Sequence, residues 1–107
     1  MNRQPDMRQI MARAQKMQEQ LAAAQTELAG RTFEGSAGGG MVVATVTGSQ
    51  ELVDLIISSE VVDPDDVEML QDLVLAAVRQ AFEAASNAAS EELGELTGGL
   101  GLGGLLG

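Results

Sequence analysis

Asp63, Asp65, Asp66 and Glu68 crowd four carboxylates into one short stretch of the chain. That spacing suits two chemistries, paired-acid catalysis and capture of a hard cation. Paired acids need a basic neighbour to set one apart from the other, and no His, Lys or Arg lies close by. A calcium loop needs Asp-x-Asp-x-Asp-Gly, and the chain has Asp63-Pro64-Asp65-Asp66 instead. This run is better read as the start of a helix. Asp63 can cap, Pro64 suits the first helical position, and Asp65 and Asp66 suit the positive end of the helix dipole. The glycine run Gly38-Gly39-Gly40 fails as a phosphate loop, because Met41 follows it where Gly-Lys-Ser/Thr would be needed. The chain has no cysteine and no histidine, which excludes disulfides, thiolate chemistry and the usual zinc ligands. No nucleophile–base pair is in sight. The expectation is a binding or architectural protein, not an enzyme, with no cofactor and no metal.

The cations are the other group with chemistry to offer. The net charge is −10, from six basic and sixteen acidic residues. An acidic total repels phosphate and argues against nucleic acid. The charge is segregated, however. Arg3, Arg8, Arg13 and Lys16 face only Asp6 and Glu19 in the first twenty residues, whereas Arg31 and Arg79 face fourteen carboxylates in the rest. Four of the six cations therefore gather at one end of the molecule, as a solvated helix face or as a contact surface.

The elements that must position them follow from periodicity. Residues from Pro5-Asp6 to Ala29 read as one helix. Met7, Ala14, Leu21 and Leu28 recur every seven residues, with Ile10, Met17 and Ala24 interleaved. This is an a/d seam, and Gly30 is placed to end it. Arg8 and Lys16 fall away from the seam and Arg13 flanks it. A short strand is expected around Arg31 to Ser36, then a reversal at the glycine run. A second strand, Met41 to Thr47, sets Val42, Ala44 and Val46 against Met41, Val43, Thr45 and Thr47. A turn at Gly48-Ser49 leads to a third strand, Leu52 to Ser58, which places Val53, Leu55 and Ile57 opposite Leu52, Asp54, Ile56 and Ser58. Antiparallel order is the natural reading. The second helix carries Val67, Leu70, Val74, Ala77, Val78, Ala81, Ala85 and Ala88 at helical spacing. Its face thins to alanine towards the end, which reads as good helix and poor core.

The fold class is thus α+β: helix, three-stranded antiparallel sheet, helix. Residues 1–93 are expected to form one domain, and 94–107, rich in glycine and leucine, a flexible tail. A three-stranded sheet with only two aromatics in the chain, Phe33 and Phe82, makes a small core, and its edges invite a second copy. No apolar run approaches membrane-spanning length, and the first residues lack the apolar core of a signal peptide. A cytoplasmic protein without a membrane partner is expected.

In order, these pieces resemble the YbaB/EbfC family of bacterial nucleoid-associated proteins. The resemblance is carried by Met11 to Leu28, with Ala14-Gln15-Lys16-Met17-Gln18-Glu19-Gln20-Leu21. It continues through Gly35 to Gly48, in the form Gly-x-x-Gly-x-Gly-Met-Val-x-x-x-Val-x-Gly, and through Asp63 to Ala77. It covers roughly residues 7–90. It implies a helix–three-strand–helix subunit and a homodimer whose sheets associate and whose helices project like tweezers. It also implies a nucleoid protein that binds DNA and influences expression without being an enzyme. Family members that bind DNA well carry basic residues on the third strand and second helix. Here the third strand has no cation and the second helix only Arg79. Contacts to double-stranded DNA are therefore expected from Arg3, Arg8, Arg13 and Lys16 of both subunits, with little sequence preference. The alternative is an acidic dimeric protein–protein module without significant DNA binding, docking on a partner such as a replication or recombination protein.

Overall fold

A computed structural model describes residues 6–99 of the chain, with side chains through residue 96. It contains helix α1 (Met7–Gly30), strands β1 (Thr32–Ala37), β2 (Val42–Thr47) and β3 (Leu52–Ile57), a 3-10 turn (Ser59–Val61) and helix α2 (Val67–Gly99). The strands form one antiparallel sheet in the order β1-β2-β3. The architecture is the expected α+β arrangement.

Each element has a local cause. Asp6 precedes α1 in an extended conformation, and its carboxylate accepts the Arg8 backbone N–H at 3.2 Å. Its carbonyl accepts the Gln9 and Ile10 N–H groups, so the first turn has its donors paired. The β1–β2 reversal uses Gly38, Gly39 and Gly40, all at positive φ. In the β2–β3 turn, Gln50 takes the positive φ, at 68°. Gly48 is there for space: a Cβ would overlap the Leu28 carbonyl oxygen, and its N–H donates to the Arg31 carbonyl at 3.0 Å. The second hairpin therefore clamps the end of α1 to the sheet.

The start of α2 differs from expectation. Asp63 and Pro64 lie before the helix in a turn, where Asp63 Oδ1 accepts the Asp65 N–H at 2.9 Å. The first helical residue is Val67, and Asp66 Oδ1 accepts the Met69 N–H at 3.2 Å. The cap is Asp66, because Asp63 is satisfied by closing its own turn. Asp66→Ala is expected to destabilise the subunit by about 1 kcal/mol, read as a lower urea midpoint with an unchanged slope.

The core lies between α2 and one face of the sheet. Val42, Ala44 and Val46 of β2 are buried against Ala77, Ala81 and Ala85 of α2. Leu73, Val74, Val78 and Phe82 of α2 and Phe33 and Ala37 of β1 enclose this centre. Of the alanine-rich stretch 84–89 that reads as poor core, only Ala85 is buried in this centre. With no side chain at Gly35, α2 sits directly on β1, next to Ala77 and Ala81. Small residues on both sides bring the backbones together. Gln80 Oε1 then accepts the Ser36 N–H at 2.6 Å, which ties α2 to β1.

In β3, Leu55 pairs with Ala44 and Ile57 with Val42, as the alternation requires. A bulge between Thr45 and Val46 then brings Leu52 opposite Val46, so Leu52 does not keep the partner alternation expected with Asp54 and Ile56. Helix α2 continues through Gly99, past the boundary expected at residue 93, because Glu91, Glu92, Leu93, Glu95 and Leu96 are good helix formers. Residues 100–107, the rest of the expected tail, lie outside the described residues. No helix among the described residues is long and apolar enough to cross a membrane. The molecule is elongated, 80 × 27 × 16 Å, with a radius of gyration of 21.1 Å. A compact chain of this length would be nearer 13 Å.

Candidate nucleic-acid interface

Helix α1 has no buried residue and meets the rest of the subunit mainly at its C-terminal end. Arg8, Arg13 and Lys16 lie in its N-terminal half, and all three are exposed. Arg8 and Lys16 are about 12 Å apart along the axis at 1.5 Å per residue. By helical geometry they stand away from the seam of Met7, Ile10, Ala14, Met17 and Leu21, with Arg13 on its flank. No described carboxylate lies within ion-pair distance of any of the three. Arg3 lies outside the described residues.

The remaining cations are differently placed. Arg31 reaches Glu92 at 3.8 Å and stacks over the Phe33 ring at 5.0 Å from its centre. It links the start of β1 to α2 and has a carboxylate beside it. Arg79 is exposed on α2, among acids at Asp72 and Glu83. Of the four exposed cations of the described chain without an ion-pair partner, three therefore lie on α1 and the fourth, Arg79, on α2. Such groups suit phosphate, which each can meet as a point charge or a fork. No aromatic accompanies them, so base stacking is not on offer at this end.

Two carboxylates before α2, Asp63 and Asp66, hold backbone N–H groups, and among the described residues no three His, Cys, Asp or Glu cluster as a metal site would need.

A second surface was underread from the sequence. Strand β3 is exposed along its whole length although five of its six residues are apolar. Val53 and Ile56 are 53% and 59% exposed, and Leu75 of α2, which shares a groove with Ile57, is 50% exposed. A groove lined by Ile57, Leu70, Val74 and Leu75 runs between β3 and α2. The helix lies over β1 and β2, where Gly35 admits it, and leaves β3 with neither face covered.

The comparisons with known proteins agree with one another. A sequence model of the YbaB/EbfC DNA-binding family matches residues 2–100. A nucleoid-associated protein of Rhodococcus opacus is 56% identical over 104 residues, covering 97% of this chain and 92% of its own. One from Clostridium perfringens is 56% identical over 100 residues, covering 94% of this chain and 89% of its own. The crystal structure of an uncharacterized protein from Helicobacter pylori shares the fold, with a TM-score of 0.74 at 22% identity over 87% of this chain and 98% of that one.

Proposed function

Because this chain belongs to the YbaB/EbfC DNA-binding family, we propose that it is a cytoplasmic, nucleoid-associated homodimer that binds duplex DNA with little sequence preference. Arg8, Arg13 and Lys16 of both α1 helices, with Arg3 of both chains, are its phosphate contacts. The observation that carries this reading is the segregation of charge. A chain of net charge −10 keeps three exposed cations, none with an ion-pair partner among the described residues, in the N-terminal half of α1. A positive end on a negative body orients the molecule towards DNA and keeps the acidic part away from it. The test is fluorescence anisotropy with a random-sequence duplex at low salt. Saturable binding that ignores sequence supports the reading, and no binding overturns it.

The exposed β3 supports the dimer. An apolar edge strand with both faces bare is a surface that a second copy would cover. Val53→Lys with Ile56→Lys is expected to convert a dimer into a monomer in sedimentation at micromolar concentration, with helix content unchanged. Both side chains are already exposed in the subunit, so the fold does not depend on them. A parent protein that sediments as a monomer would contradict the assignment.

The fourteen carboxylates of residues 21–107 favour a second reading, an acidic dimer that docks on a protein. A stoichiometric protein partner in a pull-down, with no DNA shift at low salt, distinguishes it.

A further inference from the structure

The seam of α1 has a neighbour over only half its length. Near its C-terminal end, Leu21, Ala24 and Leu28 share a groove of about 250 Å³ with Ala89, Leu93 and Leu96 of α2. Towards the N-terminus the same apolar face carries nothing among the described residues. Met7 and Met11 are 68% and 63% exposed, Ile10 and Met17 are exposed too, and a groove bordered by Met11, Ala14, Met17 and Leu21 lies open. One helix thus bears both a row of bare apolar side chains and an open apolar groove.

We propose that a second copy of this chain docks on α1, the two α1 helices packing antiparallel over residues 10–28. Each copy then lays its bare half-seam into the groove of the other. A two-fold contact of this kind is self-complementary, so every pairing occurs twice. Heptad geometry gives the register. With a positions meeting d positions, Ile10 packs on Leu28 of the second copy, Ala14 on Ala24, and Met17 on Leu21. Charge selects the same register. Arg13 flanks the seam without an ion-pair partner among the described residues, and Glu27 lies two heptads on, along the same flank. The antiparallel pair sets Arg13 against Glu27 of the second copy, whose groove also holds Glu92 and Glu95. A parallel pair would set Arg13 beside Gln18 and leave both grooves empty. Arg8 and Lys16 fall away from the seam and stay in solvent. The surface is separate from β3, so the inference rests on neither the β3 dimer nor the DNA contact.

Alanine layers bury little apolar area, so this contact is weaker than a sheet interface and is read well above micromolar protein. The chain has no cysteine, so one introduced thiol is a unique reporter. In this register Gln20 lies opposite Gln20 of the second copy, whereas the two Met7 residues are about 36 Å apart along the pair. In the full chain, Gln20→Cys is expected to cross-link to itself with a short bis-maleimide, and Met7→Cys is not. Adding Glu27→Arg to Gln20→Cys should lower the yield several-fold, and adding Arg13→Glu as well should restore it. These positions are exposed in the subunit, so the changes leave its fold alone. No cross-link at Gln20→Cys, or an equal yield at Met7→Cys, would overturn the proposal. So would a yield that Glu27→Arg does not lower, or that Arg13→Glu does not restore.

Discussion

Gly35→Ala is expected to destabilise the subunit by about 3 kcal/mol or more, at the upper end for a single added methyl group. The position allows no inexpensive relief. A Cβ would overlap the Ala77 carbonyl oxygen and the Ala81 amide nitrogen, both main-chain atoms of α2, so no side chain can swing aside. Helix α2 must rise off β1. Ala77, Ala81 and Ala85 then lose contact with Val42, Ala44 and Val46, and those six residues are the whole buried centre among the described residues. Gln80 would also lose the Ser36 N–H. Gly39→Ala is the control. Nothing lies within 4 Å of a Cβ there, and the cost is confined to the positive φ of 67°, about 1 kcal/mol. Urea denaturation at one fixed protein concentration, which holds any association constant, should rank Gly35→Ala well below Gly39→Ala. The reverse order would mean that α2 is not seated on β1.

Reversing Arg13 and Lys16 to Glu is expected to abolish binding to duplex DNA at low salt while leaving the fold intact. The change removes two cations per subunit and puts two anions in their place, on the one segment where cations outnumber acids. Neither side chain has an ion-pair partner among the described residues, and both are exposed. Stability should stay within about 0.5 kcal/mol of the parent, as surface substitutions do. Arg79→Glu is the matched control. It alters charge on α2, away from the α1 cations, and should change affinity far less. Retained binding in the double variant would remove α1 as the contact surface.

The parts of this molecule that were legible in its sequence are those set by local rules. The α1 seam, the three glycines of the first reversal and the in–out order of β2 follow from periodicity and from steric freedom in φ. Val42, Ala44 and Val46 are buried as that alternation requires. What was not legible depends on residues far apart in the chain. Spacing puts Ala77, Ala81 and Ala85 on the apolar face of α2, but that α2 seats directly on β1 there depends on Gly35, far away in the chain. Asp63 and Asp66 are equally good caps by type, and the choice falls to Asp66 because Asp63 closes the preceding turn. The Arg31–Glu92 pair joins two ends of the chain, and neither residue has a local signal for it. That the sheet has an uncovered edge was expected, but that both faces of β3 are bare depends on where α2 seats and has no local signal. For the candidate interface, the helix, the seam and the side of the helix that holds the cations all came from spacing. That the cations have no ion-pair partner among the described residues is a tertiary fact.

The central claim is that an acidic protein meets DNA through a local positive helix, and salt dependence tests it most directly. Affinity for a random-sequence duplex is measured by anisotropy across a salt series. With about four of the dimer's eight candidate cations engaging phosphates at once, log K should fall against log salt with a slope near −3.6. The slope should collapse in the Arg13→Glu, Lys16→Glu protein. No binding at the lowest salt, or binding that neither salt nor charge reversal alters, would contradict the account.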